Sequence, residues 1–199
     1  MIERRMVSEG AFNPAAIYPY SLRPEDFAAA MQDIYDFFYD VNCLFVERSL
    51  PRLEEMLRPA IMSGIISDML TASLAKHSRG LVQNRYHNGH PDLLVQGRYP
   101  NDAARAGEFG VEIKATRKRG GAVDTHGGRD QWMCVFVYEA DCQTEPAIDR
   151  APTAFVEVYL SEVLASDFRR NPRGTLGTPT STLAREGLVR FRQNWIYRL

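Results

Sequence analysis

With 199 residues, 45% of them hydrophobic and 25% charged, the chain has the size and balance of one globular domain with a substantial core. A formal net charge of -1 excludes a protein that holds an anionic polymer through bulk charge, so any such contact must come from local clustering. Cys43, Cys134 and Cys142 include no C-x-x-C pair, which fits a reducing interior better than a disulfide framework or a zinc site.

No run approaches the roughly 18 apolar residues of a membrane span, and "MIERRMVSEGAFNP" lacks a signal-peptide core. A cytoplasmic protein with no membrane partner is the expectation. Residues Pro24 to Val46 predict a long helix: Pro24 suits a first turn, Glu25 and Asp26 favour its N-terminus, and Phe27, Met31, Ile34 and Phe38 recur at helical spacing. A second helical stretch runs from about Leu53 to His77 with a break or kink near Pro59, and Ile66, Met69, Leu70 and Leu74 share one of its faces.

Gly80 ends the helical half. The strands that follow are "LVQNRYH", "DLLVQG", "FGVEIKAT", "WMCVFVYEA" and "TAFVEVYL". "SEVLASDFRR" predicts a short helix, "NPRGTLGTP" a loop, and "STLAREGLVRFRQNW" a final helical stretch. Helices, then a sheet, then a helical tail give one α+β domain: an N-terminal helical region (1–50), a core (51–160) and a C-terminal helical region (161–199).

The stretch from His90 to Thr116 carries the chemistry. In "FGVEIKA", Phe109, Val111, Ile113 and Ala115 share one face, and Gly110, Glu112 and Lys114 the other. In "DLLVQG", Asp92, Leu94 and Gln96 alternate with Leu93 and Val95. Antiparallel pairing through the polar loop between them, in a register that sets Asp92 opposite Lys114 and Leu94 opposite Glu112, brings Asp92, Glu112 and Lys114 together. Two nearby carboxylates repel unless a cation sits between them. A hard divalent ion such as Mg²⁺ takes oxygen ligands and keeps several waters. Asp92, Glu112 and the Ile113 backbone carbonyl suit it, with Mn²⁺ as a substitute. An adjacent ammonium can orient a water and stabilise charge on a phosphate oxygen, which is machinery for phosphodiester hydrolysis. Only Lys76, Lys114 and Lys118 are lysines, so an ammonium at this point is a selective placement. A cross-strand salt bridge on a solvated face is the structural alternative.

"HPDLLV" followed by "GVEIKAT" resembles the PD-(D/E)XK nuclease superfamily, and the domain is similar to its type II restriction endonuclease branch. The motif covers residues 91–114, and the order of helix and strands extends the similarity over roughly Ser63 to Tyr138. The resemblance implies a restriction-endonuclease-like core with a mixed central sheet. It makes Asp92 and Glu112 metal ligands and Lys114 the catalytic lysine of a Mg²⁺-dependent endonuclease. It also implies a further acid from the helix before the first strand. Ser67 stands at the expected position with Asp68 beside it, so Asp68 is the candidate, with Glu54 and Glu55 as alternatives.

After the catalytic strand, Arg117, Lys118 and Arg119 form the densest basic cluster, flanked by glycines that let backbone approach a partner. Asp124, Thr125, His126 and Arg129 supply donor and acceptor types that base edges need, and "DTHGGR" is similar to a Thr-His segment of some compact restriction endonucleases. A second basic bias runs through Arg169, Arg170, Arg173, Arg185, Arg190, Arg192 and Arg198. His87 and His90 line the cleft mouth or face solvent. On the aromatic helix, Tyr35 and Tyr39 offer apolar surface for a subunit contact, and a twofold homodimer is the simplest way to cut both strands of a symmetric site. The expected partners are double-stranded DNA, a second copy of the chain and a cognate DNA methyltransferase. The alternatives are a structure-specific or repair nuclease on the same fold and a non-catalytic nucleic-acid-binding module.

Overall fold

A computed structural model describes residues 2–171 and 179–199. Helix α1 (Pro24–Glu47) begins where expected, with Pro24 in the first turn. Arg23 fastens that turn: its backbone N–H donates to Asp26 Oδ2 at 3.0 Å and its guanidinium to Oδ1 at 2.6 Å. The anticipated break at Pro59 separates α2 (Leu53–Met56) from α3 (Pro59–His77). Arg58 is extended, as a residue before proline must be, so the helix restarts with Pro59 in its first turn.

The strands β1 (Leu81–Gln83), β2 (Leu93–Val95), β3 (Gly110–Thr116), β4 (Gln131–Glu139), β5 (Ala154–Val163) and β8 (Trp195–Arg198) form a mixed sheet in the order β1-β2-β3-β4-β5-β8. Only β3 and β4 pair in parallel in this sheet; the other neighbours are antiparallel. A second ribbon pairs β6 (Phe168–Arg170) with β7 (Ser181–Leu183), followed by the short helix α4 (Arg185–Phe191). The fold is therefore α+β, with N-terminal helices on a mixed central sheet. No helix among the described residues is long and apolar enough to cross a membrane.

Period-2 alternation divides the core between the two faces of the sheet. Val111, Ile113 and Ala115 of β3 and Cys134, Phe136 and Tyr138 of β4 pack with Phe27, Met31, Ile34, Ile66, Leu70 and Leu74 of α1 and α3. Met133, Val135 and Val137 of β4 point the other way, toward Leu183, Phe191, Val123 and Phe168. Because β4 is buried on both faces, it reads in sequence as the continuous apolar run "WMCVFVY".

Two expectations for the C-terminal third need correction. "SEVLASDFRR" is not a helix: β5 continues to Val163 and a single 3-10 turn (Ala165–Asp167) leads into β6. Pairing of Glu162 with Trp132 and of Val163 with Gln131 overrides the helical composition of "SEVLA". The tail contains α4, but "STL" before it is β7, and Trp195 to Arg198 close the main sheet as β8. The boundary drawn at residue 160 thus falls inside β5. Arg173 lies outside the described residues.

Candidate active site

The site exists because β3 outruns β2. Leu93 pairs with Val111 and Leu94 with Gly110, so the ladder stops short of Ile113. This register is shifted by two residues from the expected one, which keeps every side chain on its face but sets Asp92 level with Glu112. Gly110 permits it: a Cβ there would lie 1.9 Å from the Leu93 carbonyl oxygen and 2.7 Å from Pro91 Cγ. Only glycine lets the two backbones meet at this point.

Beyond the end of β2, the main-chain edge of Ile113 has no strand partner and is served by side chains. Its N–H donates to Asp92 Oδ2 at 2.8 Å, and its carbonyl accepts from Lys114 Nζ at 3.2 Å. The same ammonium donates to Glu112 Oε1 at 2.5 Å and lies 3.7 Å from Asp92 Oδ2. Thus Asp92, Glu112, Lys114 and the Ile113 carbonyl, separated by a loop in the chain, meet as the sequence suggested. Glu112 is 3% exposed, while Asp92 and Lys114 are 30% and 26% exposed.

Burial alone would raise the carboxyl of Glu112. The hydrogen bond with His90 and the charge and hydrogen bond of Lys114 outweigh it and hold the group down at about 2. Asp92 moves the other way: desolvation, aided by the Glu112 charge, raises it in spite of Lys114. Burial would also deprotonate Lys114, but the two carboxylates keep its ammonium and raise its pKa. Environment has pushed two like carboxyls apart around one cation.

That cation marks a place where a metal would fit. Lys114 Nζ is surrounded by Glu112 Oε1, Asp92 Oδ2 and Ile113 O, a hard-oxygen set suited to Mg²⁺ with water completing the shell. Among the described residues there is no group of three His, Cys, Asp or Glu side chains placed to hold a metal, so the carbonyl and water belong to the fit. Asp68 is exposed on α3 and lines an open cleft of about 360 Å³ together with Asp92, Gln83, Asn84 and Tyr86. Glu54 and Glu55 are engaged elsewhere. Glu54 is buried and accepts from Asn42 at 2.8 Å, and Glu55 pairs with Arg150 at 2.8 Å.

His90 is the residue that sequence reasoning missed. It neither lines the mouth idly nor faces open solvent: Nδ1 lies 3.3 Å from Glu112 Oε2, and the ring is 25% exposed. Its adjacency to Pro91-Asp92 was the available signal, since whatever positions Asp92 carries His90 with it. His87 is exposed.

Glu112 and Lys114 lie level with Met133 and Val135 in the parallel register, on the sheet face away from α1 and α3. Residues 117–130, the β6–β7 ribbon and α4 cover this face over β4 and β5. Along that path Arg117 donates to the Ala140 carbonyl at 2.7 Å, and Arg119 pairs with Glu139 at 2.5 Å. Both line a crevice with Arg5 and Tyr138, past the end of β3. Lys118 is exposed. The flanking glycines serve the chain's own turn: Gly120 and Gly121 have φ of +80° and +71°. Thr125 is buried, with its hydroxyl donated to the Gly127 carbonyl at 2.8 Å and its backbone bridged to Ser181, so it braces the loop. Asp124 and His126 are exposed and Arg129 is half-buried; Asn171 donates to Asp124 at 3.1 Å.

In the tail, Arg190 pairs with Asp167, Arg192 donates to the Gly120 carbonyl at 2.6 Å, and Arg198 lies over Trp195, leaving Arg169 and Arg170 on β6 and Arg185 at the start of α4 exposed. Of the surface expected from Tyr35 and Tyr39, Tyr35 is withdrawn into the core and Tyr39 stays half-buried. Tyr35 is buried against Phe155, whose N–H it accepts at 2.9 Å, and Arg4 lies over Tyr39. The N-terminal segment wraps over this part of α1 and takes up those rings.

Comparison of the chain with family models, curated proteins and solved structures gives no match.

Proposed function

We propose that the chain is a Mg²⁺-dependent endonuclease of restriction type, with the PD-(D/E)XK motif as its active site and double-stranded DNA as its substrate. The observation that carries the reading is the convergence of Asp92, Glu112 and Lys114 around the backbone edge of Ile113 that β2 leaves without a strand partner. A salt bridge alone needs neither the second carboxylate nor the shared carbonyl.

Asp92, Glu112 and the Ile113 carbonyl would hold the metal, which when bound supplies Lewis acidity and an acidified water. Lys114 keeps its proton, because both carboxylates raise its pKa. As an ammonium it serves as a hydrogen-bond donor and positive charge toward a phosphate oxygen or the attacking water. Water adds to phosphorus, giving up a proton to solvent, as the P–O3′ bond breaks and the leaving 3′ oxygen takes a proton from solvent, which gives 5′-phosphate and 3′-hydroxyl ends. Burial raises the Asp92 carboxyl, and a cation beside it favours the charged form.

The substrate lies over the partly exposed Asp92 and Lys114, against residues 124–129 and the β6–β7 ribbon. His126 and Arg129 approach base edges there, Asp124 orients the ribbon through Asn171, and Lys118 with Arg169 and Arg170 meets phosphates. Twofold DNA symmetry calls for a homodimer, and self-protection calls for a methyltransferase of matching sequence in the same cytoplasm. Mn²⁺ substitutes for Mg²⁺.

Incubating the full chain with plasmid and Mg²⁺, with and without chelator, tests this. Discrete chelator-sensitive fragments, lost in Lys114→Ala, are the expected result. A smear would mean a less selective nuclease of repair type. Binding without cleavage, unchanged in Lys114→Ala, would make the chain a binding module and overturn the enzyme reading.

A further inference from the structure

Glu112 is held at both oxygens by different groups, Oε1 by Lys114 at 2.5 Å and Oε2 by His90 Nδ1 at 3.3 Å. A carboxylate only accepts, so Nδ1 carries the shared proton. A divalent ion entering among Glu112 Oε1, Asp92 Oδ2 and Ile113 O would take the position of the Lys114 ammonium. Lys114 then leaves Oε1, and the side-chain anchor that remains on Glu112 is His90. We infer that His90 is a positioning residue for that cation, fixing the plane of the Glu112 carboxylate through Oε2 so that Oε1 points at the ion. The inference rests on the metal-dependent reading above.

The backbone makes His90 a rigid anchor. Its N–H donates to the Arg105 carbonyl at 3.2 Å, and its own carbonyl accepts from Gly107 at 2.7 Å. One residue on, Asn84 Nδ2 clamps the Pro91 carbonyl at 3.0 Å and the Ala104 carbonyl at 2.7 Å, tying both loop stems to the end of β1. A carboxylate bound at one oxygen still rotates about its last torsion, whereas one bound at both does not. Buried at 3% exposure, Glu112 has little water to serve as a substitute anchor. Partners one bond removed from a metal are worth roughly 10- to 100-fold in affinity in known sites.

The test is Mn²⁺ binding by the full chain, read from loss of the free-ion electron paramagnetic resonance signal, with folding checked by circular dichroism. His90→Ala is expected to weaken Mn²⁺ by roughly 10-fold or more. His90→Asn, whose amide N–H occupies the place of Nδ1, restores most of the affinity. His90→Gln, whose amide sits at the Nε2 position, does not. If His90→Ala binds as the wild type does while Glu112→Gln loses the ion, the inference falls and the metal site stands. Equal weakening in the Ala and Asn variants also overturns it, because packing and not the Nδ1 bond would then be responsible. If the wild type binds no Mn²⁺, the metal-dependent reading falls and takes the inference with it.

Discussion

The ammonium of Lys114 lies 2.5 Å from Glu112 Oε1, so the one strongly buried acid of the candidate site is neutralised by the lysine two residues along the same strand. Removing that lysine leaves a buried carboxylate with only His90. Lys114→Ala is therefore expected to lose about 3 kcal/mol of stability in metal-free buffer. Mg²⁺ should raise its melting temperature more than that of the wild type, since the ion replaces the lost ammonium. Thermal unfolding across a Mg²⁺ titration measures both effects, and equal responses would show that the ion does not enter this position.

Gly110 is where β3 presses against the segment that carries Asp92. With a Cβ 1.9 Å from the Leu93 carbonyl oxygen, Gly110→Ala must push β2 away or break its pairing. A loss of about 2–4 kcal/mol in urea unfolding is expected. Asp92 would leave Ile113 as well, so Mn²⁺ affinity should fall along with stability.

On the far side of the core, Asp33 of α1 joins α3. Its Oδ2 meets Ser73 Oγ at 2.5 Å, His77 Nε2 at 2.9 Å and Lys76 Nζ at 3.0 Å. Burial opposes ionisation, yet these three groups bring the carboxyl down to about 2 from its ordinary 3.8. A depressed carboxyl stabilises the fold above its unfolded value and loses that contribution as pH falls toward 2. Asp33→Asn should then be less stable than the wild type by about 1 kcal/mol at pH 7, a figure reduced for solvent screening of a side chain about a third exposed. The gap should close between pH 4 and 2, where acid-unfolding curves of the two proteins merge.

Within residues 124–129, neighbours divide between scaffold and surface. Thr125→Val strands the Gly127 carbonyl and should lower stability by about 1–2 kcal/mol. His126→Ala and Arg129→Ala should leave the unfolding midpoint in place and weaken DNA binding in fluorescence anisotropy. The reverse pattern would remove this loop from the proposed interface.

The sequence made the helices and the site residues legible to different degrees. The span of α1 and the break at Pro59 follow from local chemistry, namely proline geometry and helical spacing, and both are where the pattern put them. The grouping of Asp92, Glu112 and Lys114 follows from period-2 alternation and an antiparallel hairpin. Their register does not, because a two-residue slip keeps the same faces and the close backbone approach at Gly110 shows only in the fold. His90 stayed hidden for a similar reason, since its partner lies 22 residues away. Arg117 and Arg119 read as a basic cluster because Ala140 and Glu139, which engage them, come from the end of the next strand. "SEVLA" has helix-forming residues and became strand once β4 supplied the pairing.

Anomalous diffraction from crystals of the full chain soaked in Mn²⁺ tests the metal site most directly. The expected result is a peak about 2.1 Å from Asp92, Glu112 and Ile113 oxygens, with Lys114 Nζ displaced from Glu112 Oε1. No peak there, with the ammonium still seated among the three oxygens, would contradict it.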